Sequence, residues 1–219
     1  YMGEALEFGS AKAGPGEKGT GYIKVGELSD GAPVEMPVII LNGKNPGPKL
    51  LVWALEDGDE YPGALGSLDA ANNVLPDLLD EMNGSMVLLP ATNISAFRGN
   101  PFGGATRNSP LDIDQGARLP GAYPGNLYGK HTNQLAYHIN QVTVKYDPDV
   151  HIRYHGCKQM NGWDRVLYRE SPEGSALDKL ARACVTKKDE MCMLVYSRGE
   201  PVERPLAVSM ESNGGDNGV

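Results

Sequence analysis

The sequence predicts an α/β domain built on a largely parallel sheet. Short apolar runs recur along most of the chain, and several are near-continuous, as strands buried on both faces require. Amphipathic stretches at helical spacing lie between them, and strands alternating with helices build parallel sheets. A length of 219 residues, 40% of them hydrophobic and 22% charged, suits one substantial domain that needs no disulfide staples.

Taken in order, residues 1–21 are rich in Gly, Ala and Ser and read as an irregular lead-in to a single domain over 22–219. The expected strands are VEMPVIIL (34–41), KLLVWAL (49–55), SMVLLPA (85–91), DVHIRY (149–154), MCMLVY (191–196) and LAVSM (206–210). Over 62–82, Leu65, Leu68, Leu75, Leu78, Leu79 and Met82 approximate one helical stripe, which Pro76 should kink or split. A second helix is expected over 128–145, with Leu135, Ile139 and Val142 inward. A third is expected from Ser171-Pro172-Glu173, a cap residue followed by a first-turn proline and an acid. The stretch 92–128, rich in Gly, Pro and Asn, reads as a long loop, and loops of that length are usually functional.

A formal charge of −8 with scattered basic residues argues against a nucleic-acid partner. Cys157, Cys184 and Cys192 form an odd set without a C-x-x-C pair, which points to a reducing, cytoplasmic setting rather than a disulfide framework or a cysteine zinc site. No apolar stretch approaches the roughly 18 residues of a membrane helix, so no membrane partner is expected.

In open α/β sheets, ligands bind beyond the carboxyl ends of the strands. Three reactive groups are expected at such ends. In WALEDGDEYPG, Asp57 and Glu60 flank a tight turn at Gly58 and can converge on one cation; the alternative is a solvated acidic turn opening a helix. His155, after DVHIRY, is a candidate metal ligand or base, or else a hydrogen-bonded core histidine. Glu211, after LAVSM, is a candidate general base, or else a plain loop acid. His151 reads as structural, and His131 and His138 as solvated. On the long loop, Arg118 offers a guanidinium fork for a substrate carboxylate, or is a surface arginine.

In their order, these pieces resemble the succinylglutamate desuccinylase/aspartoacylase family of zinc-dependent amide hydrolases, and most closely the branch that deacetylates N-acetyl-diaminobutyrate-type substrates. VEMPVIILNGKNPGPKLLVWALEDGDEYPG resembles the family's entry into its first metal motif, His-Gly-Asp-Glu-Tyr-x-Gly. GSMVLLPATNISAFR is similar to the strand and loop that follow, and NSPLDIDQGARLPG to the family's Ser-Pro-x-Asp…Asn-Arg-x-Phe-Pro-Gly loop. HIRYHG is similar to the Asp-x-His strand end, and VSMESNGG to the late Thr-x-Glu-x-Gly-Gly.

The resemblance implies a three-layer, zinc-carboxypeptidase-like domain with a mostly parallel mixed sheet. It implies Glu60 and His155 as metal ligands, Glu211 as the general base, and Arg118 as the grip on a small-molecule carboxylate substrate. Four departures stand out. Asp57 replaces the first histidine ligand, Arg153 replaces the aspartate of Asp-x-His, Ala117 replaces the asparagine before the arginine, and the loop to Pro120-Gly121 is one residue short. Two readings follow. In one, Asp57, Glu60 and His155 hold Zn2+ with an oxygen-rich donor set. In the other, an Asp57–Arg153 ion pair replaces the metal, and the chain is a repurposed subunit of a larger complex. The family continues into a C-terminal β-rich domain, whereas this sequence runs eight residues past Glu211. Two expectations follow: a second protein chain supplies the remaining pocket, or this chain is a truncated or processed one. A small-molecule-binding module of another class is the third possibility.

Overall fold

A computed structural model describes residues 4–99, 108–112, 118–154, 164–169, 179, 193–197 and 207–213. The chain opens with a two-stranded ribbon, β1 (Leu6–Phe8) and β2 (Ala11–Ala13), followed by β3 (Glu17–Glu27), β4 (Pro33–Asn42) and β5 (Asn45–Ala54). Helix α1 (Tyr61–Asp69) leads through a π-helical turn, Ala70–Val74, and a 3-10 turn, Leu75–Leu78, to β6 (Asn83–Leu89). After α2 (Ile94–Arg98) and the long helix α3 (His131–Tyr146) come β7 (Val150–Tyr154), β8 (Asp164–Arg169), β9 (Met193–Ser197) and β10 (Ala207–Asn213).

Among the described residues, eight strands make one mixed sheet in the order β3-β4-β6-β5-β7-β10-β8-β9. Its centre is parallel, with β6, β5, β7 and β10 side by side in one direction, while β3, β4 and β8 join antiparallel. This is the fold class the sequence predicts.

Alternate residues of the central strands feed two cores, so the molecule has three layers. On one face, Leu51, Trp53, Val87 and Leu89 meet Leu135, Ile139 and Val142 of α3. Phe8, Ala11 and Ala13 of the ribbon join the same cluster. On the other face, Val52, Leu88, Ile39 and Leu41 meet Ala71 and Leu79.

Three sequence expectations change. The lead-in is not irregular: the ribbon lies over β3, where a Cβ on Gly19 would stand 2.1 Å from the Lys12 carbonyl oxygen. The glycines that read as irregularity permit this close backbone approach. The expected helix over 62–82 splits, as Pro76 suggested, but Leu65 and Leu78 face outward, and Ala64 and Ala71 take the inward positions. Strand β10 continues through Glu211 rather than ending before it. The helix expected from Ser171 lies outside the described residues, as do Cys157, Cys184 and Cys192.

Candidate active site

The parallel strands β5 and β7 end together, and the pairing of β10 with β7 stops at the same level, although β10 itself runs on to Asn213 against β8. Trp53 and Ala54 pair with Arg153 and Tyr154, and Ser209 and Met210 pair with the same two residues from the other side. The next residue of each strand is therefore Leu55, His155 and Glu211. His155 itself lies outside the described residues, and Glu211 is placed by its backbone, opposite Val166 of β8. The register brings to one sheet end the three segments that the sequence singled out.

At Leu55 the chain leaves β5 with φ +63, a left-handed conformation that costs a branched residue roughly 1–2 kcal/mol. The bend is held from outside. The backbone N–H groups of Thr92 and Asn93 donate to the Ala54 and Leu55 carbonyls at 3.1 and 2.9 Å, and the Asn93 side-chain amide donates to the Glu56 carbonyl at 2.9 Å. The same Asn93 caps α2 by accepting from the Ala96 N–H. Strain that the surroundings impose in this way is typical of functional corners.

The turn that follows is buried from end to end. Glu56 and Asp57 are fully enclosed, and Asp59 and Glu60 are 7% and 6% exposed. The alternative of a solvated acidic turn is thereby excluded. The Glu60 N–H closes the turn onto the Asp57 carbonyl at 3.1 Å, which brings residues 57 and 60 together. Glu60 stands at the N-cap of α1 but makes no side-chain capping bond, so the carboxylate is not spent on the helix end.

Buried carboxylates need counter-charges. Arg118 donates through Nη2 to Asp57 Oδ2 at 2.7 Å, and Arg153 donates through Nη2 to Glu56 Oε2 at 2.7 Å. The Tyr123 hydroxyl donates to Glu56 Oε1, also at 2.7 Å. The Arg153 guanidinium lies over the rings of Trp53 and Tyr123, at 5.7 and 5.8 Å from their centroids. The sequence reading expected Arg153 to hold Asp57. In the structure Arg153 holds Glu56, and Arg118, expected to face a substrate, holds Asp57. The physical reason is register: Arg153 pairs with Trp53, so its side chain reaches Glu56, the nearer acid, which sits between it and Tyr123.

Beneath these groups His151 packs against Trp53, ring centroids 3.7 Å apart. Burial, with the Arg153 charge adding to it, pushes its imidazole down to about 3. It is a neutral structural histidine, as the sequence suggested. Burial and the Glu56 carboxylate push the Tyr123 phenol well above its usual range.

A second polar cluster frames the long loop. The Ser95 hydroxyl lies 2.8 Å from Ser109 Oγ and 2.9 Å from His131 Nε2. Asp112 accepts from the Thr132 N–H at 3.2 Å and from the Thr132 hydroxyl, capping α3. His131 is thus built into the framework rather than solvated, and burial lowers its pKa. Sequence reasoning missed Glu56, Tyr123 and this cluster. An acid directly behind an apolar strand was the available signal for Glu56. Tyr123 gives none, since it reaches Glu56 across 67 positions.

Whether these residues fit a metal can be judged from their charges. Of the four buried carboxylates Glu56, Asp57, Asp59 and Glu60, the described residues set Arg153 against Glu56 and Arg118 against Asp57. Asp59 Oδ1 is buried with no hydrogen-bond partner among the described residues. A buried carboxylate oxygen of this kind favours a cation. Among the described residues no three His, Cys, Asp or Glu side chains gather into a complete ligand set, and the expected third ligand, His155, is not among them. Among the described residues the donors present do not by themselves complete a metal site, and Asp57 is engaged by Arg118.

No protein-family model matches the sequence, and no curated protein matches it. Solved structures match the fold. A succinylglutamate desuccinylase/aspartoacylase from Rhodobacter sphaeroides is 24% identical, over 69% of this chain and 44% of that one, with a TM-score of 0.57. A succinylglutamate desuccinylase from a Silicibacter species is 18% identical, over 96% of this chain and 62% of that one, with a TM-score of 0.66. A metallo-carboxypeptidase from Burkholderia cenocepacia is 13% identical, over 88% of this chain and 56% of that one, with a TM-score of 0.55. The chain spans less than two thirds of the length of each. These likenesses show a zinc-carboxypeptidase-like α/β fold.

Proposed function

We propose that this chain is a metal-dependent hydrolase of the succinylglutamate desuccinylase/aspartoacylase family, cleaving the amide bond of a small N-acyl amino acid or a similar carboxylate. The observation that supports it best is the buried, charge-rich turn Glu56–Glu60 at the shared end of β5 and β7, beside β10. Several carboxylates buried in one turn are costly to keep together, and such a turn suits a cation site.

Asp57, Glu60 and His155 would hold the metal. Bound there, a zinc ion supplies a polarised amide carbonyl and a water acidic enough to lose its proton near neutral pH. Glu211 would serve as the general base toward the attacking water and as the general acid toward the leaving amine. Arg118, half-exposed at the rim, orients the substrate carboxylate. Glu56, clamped by Arg153 and Tyr123, fixes the floor.

The test is amine release from a panel of N-acetyl and N-succinyl amino acids by zinc-supplemented protein. Glu211→Gln is expected to lower kcat by about 100-fold or more, the usual size of a general-base contribution. Turnover unaffected by that substitution contradicts the role given to Glu211.

One observation favours a second reading. Two guanidiniums already neutralise Asp57 and Glu56, an arrangement suited to a metal-free relative acting as a subunit of a larger complex. In that case zinc-supplemented protein releases no amine from any substrate, and a second chain co-purifies.

A further inference from the structure

We infer that His131, at the start of α3, is a positioning residue for the acidic turn, acting on the Glu56 carbonyl through Ser95 and Asn93. The inference goes beyond the hydrolase reading, because it concerns what holds the turn and not what the turn binds.

Counting protons along the contacts gives the chain of hydrogen bonds one direction. The Asn93 side-chain amide donates to the Glu56 carbonyl at 2.9 Å, so its nitrogen faces the turn. Its Oδ1 therefore faces α2, where it accepts from the Ala96 N–H at 3.3 Å. An amide oxygen cannot donate, so the Ser95 hydroxyl supplies the proton of the Ser95–Asn93 bond at 3.2 Å. A hydroxyl has one proton. With that proton committed to Asn93, Ser95 Oγ accepts from its two other neighbours, Ser109 Oγ at 2.8 Å and His131 Nε2 at 2.9 Å. Ser109 can donate, since its own oxygen accepts from the Leu111 N–H at 3.2 Å. His131 must then carry its proton on Nε2. Burial lowers the imidazole pKa against the pull of the Asp112 carboxylate, so the ring is neutral above pH 7 and only one of its nitrogens bears a proton.

What stands at the far end gives this chain its consequence. Leu55 holds φ +63, and Asn93 secures that corner twice, through its backbone N–H to the Leu55 carbonyl and its side chain to the Glu56 carbonyl. Asn93 and Ser95 are both buried, so solvent does not readily replace a lost partner. Hydrogen bonds in series also polarise one another, so loss of the first donor weakens the bonds beyond it. Helix α3, anchored in the core through Leu135, Ile139 and Val142, is the rigid end of the chain. The strained corner is thus tied to α3 through two side chains of α2 and its cap.

The experiment is nuclear magnetic resonance on the 15N-labelled 219-residue chain. Imidazole 15N shifts of the wild type above pH 7 show which nitrogen of His131 is protonated, and Nε2 is expected. Hydrogen exchange of the Glu60 amide, whose bond to the Asp57 carbonyl closes the turn, reports the far end. His131→Leu and Ser95→Ala should each speed that exchange roughly fivefold to tenfold, the effect of about one net hydrogen bond. The double variant should be no faster than either alone, because both cut the same chain. His131→Gln, whose side-chain amide can still donate to Ser95, should exchange like the wild type. A proton on Nδ1 overturns the inference. So does equal loosening in the Leu and Gln variants, or a Leu variant that frees the amides of α3 and leaves Glu60 protected. The wild-type shifts decide the matter if the variants fail to fold. None of these readouts uses metal or substrate, so the inference and the hydrolase reading fail separately.

Discussion

Glu56 shows most clearly how one residue is committed to this architecture. Its carboxylate is fully enclosed and accepts from Tyr123 and Arg153 at once. Removing one member of a buried ion pair leaves the other uncompensated, so Glu56→Gln should lower stability by about 2–3 kcal/mol, the partial exposure of Arg153 trimming the full effect. Adding Arg153→Met should restore part of the loss, because an apolar replacement of both partners removes the stranded charge. Urea unfolding of the single and double variants checks this, and equal losses in both would show that charge pairing is not what holds the floor. At this scale the sequence revealed where the acids lie but not which arginine each one takes. Asp57–Arg153 was the natural charge match on paper. Strand register, a property of the sheet rather than of either residue, gave Arg153 to Glu56 and left Asp57 to Arg118.

Whole elements were more legible where hydrophobic patterning alone decides them. Strands β4, β5, β6 and β7 lie where their apolar runs predict, and α3 buries Leu135, Ile139 and Val142 as its periodicity requires. The ribbon β1–β2 and strand β3 were not legible, because their signature is glycine, which reads locally as disorder. Its meaning here is tertiary. Gly19 and Gly21 leave room for the backbones of Lys12 and Ala11, at approaches of 2.1 and 2.4 Å for an added Cβ. Gly19→Val should therefore lift the ribbon and cost about 1–3 kcal/mol, as overpacking does. The readout is faster tryptic cleavage after Lys12, which is exposed yet held in β2. Unchanged cleavage would mean that the ribbon does not depend on this contact. The long loop 92–128 was expected to be functional, but its internal order, Ser95, Ser109, His131 and Asp112 in one cluster, depends on contacts between α2, the loop and α3 that no local spacing encodes.

Across the whole molecule, buried histidines set the response to acid. His151 is held down to about 3 by burial and by Arg153, whereas an unfolded chain protonates it near 6.5. Between those values the unfolded state binds a proton that the folded state refuses, so stability falls as pH drops from about 6.5 toward 3. His131 and His138, both lowered by burial, act in the same direction. Midpoints of urea unfolding from pH 7.5 to 4.5 should decline in the wild type and decline less steeply in His151→Gln. Identical slopes would place the acid sensitivity elsewhere. No helix among the described residues is long and apolar enough to cross a membrane.

The fold class was legible from the alternation of strands and helices. The burial of the acidic turn was not, because a run of charges reads as surface until the sheet end closes over it. The most direct test of that buried turn as a metal site is zinc content, measured by mass spectrometry on protein purified without chelator, for the wild type and for Glu60→Ala. The proposed hydrolase carries about one equivalent of zinc per chain, lost in the variant. A wild-type chain that holds no zinc even after incubation with the metal contradicts that site and leaves the guanidinium-neutralised corner as the functional state.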